Sequence, residues 1–193
     1  MSAKIIYIHG FNSSALSTKA RQLRAYWQQL NLPHDALIIP DLPNDFSAAM
    51  AQLEALVLAN PQALLVGSSL GGFYATYLHH RYANPALLIN PAVEAHLRFE
   101  HYVGPQTNYH TGETWDLTAE QIKQLTPLAV APPKAGAKIQ VWLQTGDETL
   151  DYRVAERYYQ DCVVEVKQGG DHAYQGFAQR IPEILALAGI ANA

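Results

Sequence analysis

The chain has 193 residues, 49% hydrophobic and 16% charged, a balance that supports one globular domain over 1–193 with a sizeable core. Its formal net charge of -4 argues against a nucleic-acid or anionic-membrane surface, and its one cysteine, Cys162, excludes an internal disulfide or a thiolate metal cluster. No stretch approaches a membrane span and no apolar secretory core precedes His9-Gly10, so a cytoplasmic location is expected.

Lys4 to Ile8 is a β-branched apolar run and reads as a buried parallel strand. Ser17 or Thr18 can cap a following helix, in which Ala20, Leu23, Trp27 and Leu30 fall on one face. Ala36 to Ile39 is the second strand, ended by Pro40-Asp41-Leu42-Pro43. Asn44 or Asp45 then caps a helix with the core stripe Phe46, Met50, Leu53 and Val57. Ala63 to Val66 is a third strand, Leu70 to about Tyr82 a helix, and Ala86 to Ile89 a fourth strand stopped by Asn90-Pro91.

Between Ala92 and about Lys138 the rhythm breaks, with no clean strand pattern and many aromatic and histidine residues. This reads as an insertion with one helix from Thr118 to Leu125. Alternation then resumes: a strand over Ile139–Leu143, a helix over Tyr152–Tyr159, a strand over Val163–Val166 and a closing helix over Phe177–Ala188. The pattern predicts an α/β fold, a mostly parallel sheet of about six strands with helices on both faces, and ligands outside the carboxyl ends of the strands.

The loops after three strands hold the chemistry. Gly67-Ser68-Ser69-Leu70-Gly71 has the G-x-S-x-G pattern between a strand and a helix, the setting of a nucleophile elbow with Ser69 as nucleophile. Glycines two residues to either side are expected because a Cβ there would collide with neighbouring backbone. A serine hydroxyl is a poor nucleophile at neutral pH and needs an imidazole as base and a carboxylate to orient it. Gly169-Gly170-Asp171-His172 supplies His172 and Gly146-Asp147-Glu148 supplies Asp147, giving the chain order Ser, Asp, His. The backbone N–H groups of Phe11, after the first strand, and Leu70 can form an oxyanion hole.

Asp151 is a competing acid, but it precedes Tyr152-Arg153-Val154-Ala155 and is better placed as a helix cap. Asp171 would have to fold back to reach its neighbour His172. His9 is read as packing or bonding to backbone beside the oxyanion loop. His79, His80, His96, His101 and His110 lack metal-ligand spacing, so no metal or organic cofactor is expected.

The segments Tyr7-Ile8-His9-Gly10-Phe11-Asn12-Ser13-Ser14, Gly67-Ser68-Ser69-Leu70-Gly71-Gly72, Thr145-Gly146-Asp147-Glu148 and Gly169-Gly170-Asp171-His172-Ala173 resemble the YqiA-like esterase family of small bacterial α/β-hydrolases. The resemblance runs nearly end to end. It implies the α/β-hydrolase fold in minimal form, without the antiparallel hairpin that opens larger members, and esterase activity on acyl substrates. Ser69, Asp147 and His172 match the triad positions.

The expected activity is hydrolysis of a small-molecule acyl ester through an acyl-enzyme. An acyl thioesterase, or a non-catalytic binding module on the same fold, are the alternatives. The insertion 92–138 is either a secondary core or a lid, with Tyr102, Tyr109 and Trp115 as candidate substrate contacts that would favour apolar acyl groups. Nothing in the sequence points to an oligomeric state.

Overall fold

Short apolar runs separated by amphipathic helices give every strand the same direction, because each crossover returns the chain to the same edge of the sheet. The computed structural model describes residues 3–190, so the domain read over 1–193 extends at both ends outside the described residues. In chain order the elements are β1 (Ile5–Ile8), α1 (Thr18–Gln29), β2 (Leu37–Ile38), α2 (Phe46–Ala59), β3 (Leu64–Ser68), α3 (Leu70–Tyr82), β4 (Ala86–Ile89) and α4 (Ala95–Arg98). There follow β5 (Gly104–Thr107), β6 (Thr114–Leu117), α5 (Ala119–Lys123), β7 (Ile139–Gln144), α6 (Tyr152–Tyr158), β8 (Val163–Lys167) and α7 (Ile181–Leu187).

The main sheet has six strands in the order β2-β1-β3-β4-β7-β8, all parallel. Its central strands are buried on both faces, and the two-residue alternation of a strand sorts their side chains into two cores. Ile6, Ile8, Leu65, Leu88 and Val141 pack with α2, α3 and α6. Ile5, Tyr7, Leu64, Val66, Leu87 and Trp142 pack on the other face with α1 and α7. This is the α/β-hydrolase fold with helices on both faces, and among the described residues no antiparallel strand joins the main sheet.

Side chains start the helices where the sequence places them. Ser17 accepts from the Ala20 N–H, Asp45 from Ala48 at 2.9 Å and Asp151 from Arg153 at 3.0 Å. Thr118 and Gln121 form a reciprocal capping box that opens α5.

Three expectations are corrected. The second strand is shorter than Ala36–Ile39, because Ala36 belongs to a 3-10 turn over His34–Ala36 and only Leu37 and Ile38 pair with β1 at the sheet edge. The closing helix is not continuous from Phe177: a 3-10 turn spans Phe177–Arg180 before α7 begins. Pro182 has no N–H to give Ala178, so an α-helix cannot run through that point unbroken. The insertion does contain strands, an antiparallel hairpin in which Gly104 faces Leu117 and Thr107 faces Thr114. Its half-buried, polar strands lack the apolar run that marks the main sheet.

His9 ends the first strand and is buried, with Nδ1–H donating to the Gly10 carbonyl (2.9 Å) and Nε2 accepting from the Leu42 N–H (3.2 Å). Burial lowers its pKa below the ordinary 6.5, opposed by the Gly10 carbonyl and Asp41 and assisted by His110. Because the folded pKa lies below the unfolded one, this stabilisation is complete above about pH 6.5 and declines as pH falls towards the folded value. Urea denaturation between pH 7.5 and 5 is expected to show stability falling with pH, and His9→Asn is expected to flatten that slope.

Candidate active site

At the end of β3 the chain reverses into α3 through one residue. Ser69 has φ 55° and ψ −121°, a region that only glycine occupies readily and that costs a non-glycine residue about 1–3 kcal/mol. Its backbone is over-determined: Ser69 N–H donates to the Ile89 carbonyl (3.1 Å), and its own carbonyl accepts from Gly72 (2.9 Å) and Ala92 (3.0 Å). A Cβ on Gly67 would overlap the Gly71 carbonyl, and one on Gly71 would overlap the Ile8 carbonyl, so both sequence-predicted glycines are required by close backbone approach. Both serines border the cleft, but Ser68 is buried, whereas Ser69 is half-buried and it is Ser69 Oγ that lies against His172.

The loops after β7 and β8 meet at this elbow. His172 Nε2 lies 3.1 Å from Ser69 Oγ, and Nδ1 lies 2.8 Å from Asp147 Oδ2 and 3.0 Å from Oδ1. The Asp147 side chain is only 2% exposed, and its Oδ1 also accepts from the N–H groups of Thr149 (2.9 Å) and Leu150 (2.8 Å). These three donors satisfy a buried carboxylate and fix Nδ1 as the protonated nitrogen, leaving Nε2 to accept a proton from Ser69. Asp151 stands apart as the cap of α6, and Asp171 bonds Gln175 rather than the His172 ring.

Phe11 and Leu70 are brought to the same cleft, and among the described residues neither N–H donates to a backbone carbonyl. The insertion grips the Phe11 loop. Asn12, at φ 51°, donates from Nδ2 to Gln106 Oε1 (2.8 Å) and accepts at Oδ1 from Trp115 Nε1 (3.1 Å). The Asn12 carbonyl accepts from Tyr109 N–H (2.8 Å), and the Ser13 carbonyl from Asn108 Nδ2 (2.8 Å). Phe11 packs edge-on against Phe99, Tyr102 and Trp115, with ring centroids 4.9–5.7 Å apart.

The cleft has a volume of about 1240 Å³. Tyr102 and Tyr109 line it, but Trp115 does not; Trp115 sits with His9, Leu42 and Phe46 behind Phe11. The insertion lines it with the apolar Leu97, Phe99 and Tyr102, beside Phe11, and with the polar Glu94, Arg98 and His101. Lys19, Gln22 and Gln179 also line it. Lys19 Nζ donates to the Ala173 carbonyl (2.8 Å), and burial lowers its pKa to about 8 against the opposing pull of Asp171 and Asp147.

Sequence reasoning missed Glu148, Asn90 and Gln144. Glu148 accepts the His172 backbone N–H at 3.0 Å, while Asn90 and Gln144 hold the backbone of the same loop. Glu148 sits beside the acid in a strand-end loop and was therefore findable. Gln144 offered one signal, an amide ending the apolar run Ile139–Leu143.

The model of the family described as "Uncharacterised protein family (UPF0227)" matches residues 4–189, and the chain belongs to that family, the YqiA-like family. Among solved structures, a protein of Agrobacterium vitis S4 is similar with TM-score 0.73 and 19% identity, over 96% of this chain and 87% of that one. Mouse alpha/beta hydrolase domain-containing protein 10 gives TM-score 0.72 and 18% identity over 98% and 90%. The esterase domain of a Rhodothermus marinus protein gives 0.65 and 17% over 96% and 86%. At these identities the likeness is one of fold.

The Asn12 side chain is one of the ties between the hairpin and the Phe11 loop. Asn12→Ala removes the side-chain bonds to Gln106 and Trp115 and is expected to cost about 1–3 kcal/mol. Faster hydrogen exchange confined to β5, β6 and the residue 10–13 loop is the expected readout; unchanged exchange there would show that the aromatic contacts and the bonds from Tyr109 and Asn108 to the Asn12 and Ser13 carbonyls hold the hairpin without the Asn12 side chain.

Proposed function

We propose that this member of UPF0227 is a serine hydrolase that cleaves acyl esters through a covalent acyl-enzyme. The observation that carries the reading is the continuous hydrogen-bond chain from buried Asp147 through His172 to Ser69 on its strained elbow. A fold alone supports many chemistries, so the similar structures add no more than the scaffold.

In this reading Ser69 Oγ attacks the ester carbonyl carbon as its proton passes to His172 Nε2. Asp147, already bonded to Nδ1–H, stabilises the imidazolium without taking the proton. The N–H groups of Phe11 and Leu70 receive the developing oxyanion, each such donor contributing about 3–4 kcal/mol to transition-state stabilisation. The tetrahedral intermediate collapses, the C–O bond to the alcohol breaks, and His172 returns the proton to the leaving oxygen. Water, activated by the same imidazole, then releases the carboxylic acid and regenerates Ser69.

The apolar side chains of Phe11, Leu97, Phe99 and Tyr102 in the lining favour an apolar acyl group. Tyr102 and Tyr109 are assigned to substrate contact. Trp115 is assigned to support of Phe11, because its ring and Nε1 are engaged with the oxyanion loop.

Turnover of chromogenic acyl esters tests the assignment. Ser69→Ala is expected to lower kcat by up to about six orders of magnitude with the fold retained. Asp147→Asn is expected to lower it by roughly four orders through the wrong histidine tautomer. Asp151→Ala is expected to cost about 1 kcal/mol of stability through the lost cap and to keep turnover. Equal activity of Ser69→Ala and wild type would refute the reading, and faster cleavage of a matched thioester would move the substrate class to thioesters.

A further inference from the structure

The loop that carries His172 is gripped from within the protein by two amide side chains that are not members of the chain ending on Ser69. Gln144 closes β7 and is completely buried. Its Oε1 accepts from the backbone N–H of Asp171 (3.1 Å) and of Gln175 (2.8 Å), and its Nε2 donates to the Gln175 carbonyl (2.8 Å). Asn90 closes β4 and is 2% exposed. Its Nδ2 donates to the carbonyls of Asp171 (3.0 Å) and His172 (3.3 Å), and its Oδ1 accepts the Gln144 backbone N–H at 3.0 Å. The loop is shaped to this grip: Gly170 has φ +78°, and a Cβ there would overlap the Gln144 amide.

Burying an amide at the end of an apolar strand is unfavourable unless it answers polar groups that would otherwise stay unpaired. Here the groups answered are the backbone N–H and carbonyl groups on both sides of His172. The Gln144 backbone carbonyl also accepts the Asp147 N–H at 3.2 Å, so one residue holds the loop of the base and the loop of the acid together.

We propose that Gln144, braced by Asn90, is a positioning residue that sets the His172 ring between Asp147 and Ser69. The inference rests on the serine-hydrolase reading. A displacement of about 1 Å at a reacting group can cost on the order of 100-fold in rate, so loss of the grip is read in kcat rather than in substrate binding.

Gln144→Met keeps the length of the side chain and removes all three of its hydrogen bonds. Measured on an acyl ester, it is expected to lower kcat by about 100-fold with KM little changed, and to alter the acidic limb of the kcat/KM pH profile. Leu53→Ala, a buried cavity variant in α2 whose side chain belongs to the core that does not include Tyr174 and Phe177, serves as the control: destabilised, with kcat and pH profile retained. Should Gln144→Met fail to fold, Gln144→Glu keeps the accepting oxygen and loses the Nε2 donor, and a smaller fall in kcat with the same altered pH limb is expected. Wild-type kcat and pH profile in the folded variant, or a rise in KM alone, would overturn the positioning role. Absence of wild-type turnover together with an unreactive Ser69 would instead overturn the hydrolase reading, and this inference with it.

Discussion

The site depends on a backbone constraint at one residue. A parallel strand must turn into a helix within the width of Ser69, and it does so at φ 55° and ψ −121°. The conformation costs about 1–3 kcal/mol and persists because the end of β4 holds the serine's N–H while Gly72 of α3 and Ala92 hold its carbonyl. Close packing follows from the same turn. Gly67 and Gly71 approach backbone too tightly for a Cβ, Gly72 lies against Pro91, and Gly10 leaves room beside the Ser69 side chain. The strain has a chemical consequence, since it stands the hydroxyl in the cleft within 3.1 Å of His172 rather than in the sheet.

Around that turn the sheet acts as a ruler. β3, β4, β7 and β8 are parallel and end at the same edge, so the residues after them converge although 103 positions separate Ser69 from His172. The carboxylate of Asp147 would be costly to bury alone; two backbone N–H groups and the imidazole Nδ1–H compensate it. The insertion reaches the same centre from the opposite side, through Asn12 and Phe11. Asp147, His172, Ser69 and the Phe11 loop are thus each held by more than one element.

Much of this was legible in the sequence because local rules and the global fold agree there. The strand runs, the caps Ser17 and Asp45 and the elbow glycines all carry short-range signals that survive in the structure. That Asp151 caps α6 while Asp147 lies against His172 was legible for the same reason, since an aspartate just ahead of a helix serves that helix. The hairpin was not legible: its strands alternate polar and half-buried residues and hold Gly104 and Pro105, which reads as loop. Trp115 looks like a substrate contact in sequence, because nothing local reveals that Asn12, 103 positions earlier, takes its Nε1–H. Asn90 and Gln144 were hidden similarly. A strand-end amide is unremarkable until the loop it satisfies is placed above it.

The central claim is that His172 and Asp147 make Ser69 a nucleophile, and covalent labelling tests it without knowledge of the substrate. An active-site-directed fluorophosphonate, followed by intact-mass measurement and peptide mapping, is expected to give one adduct per chain on Ser69, with labelling of His172→Ala strongly slowed. Folded protein that does not label, or an adduct on Ser68, Ser13 or Ser14 in place of Ser69, would contradict it.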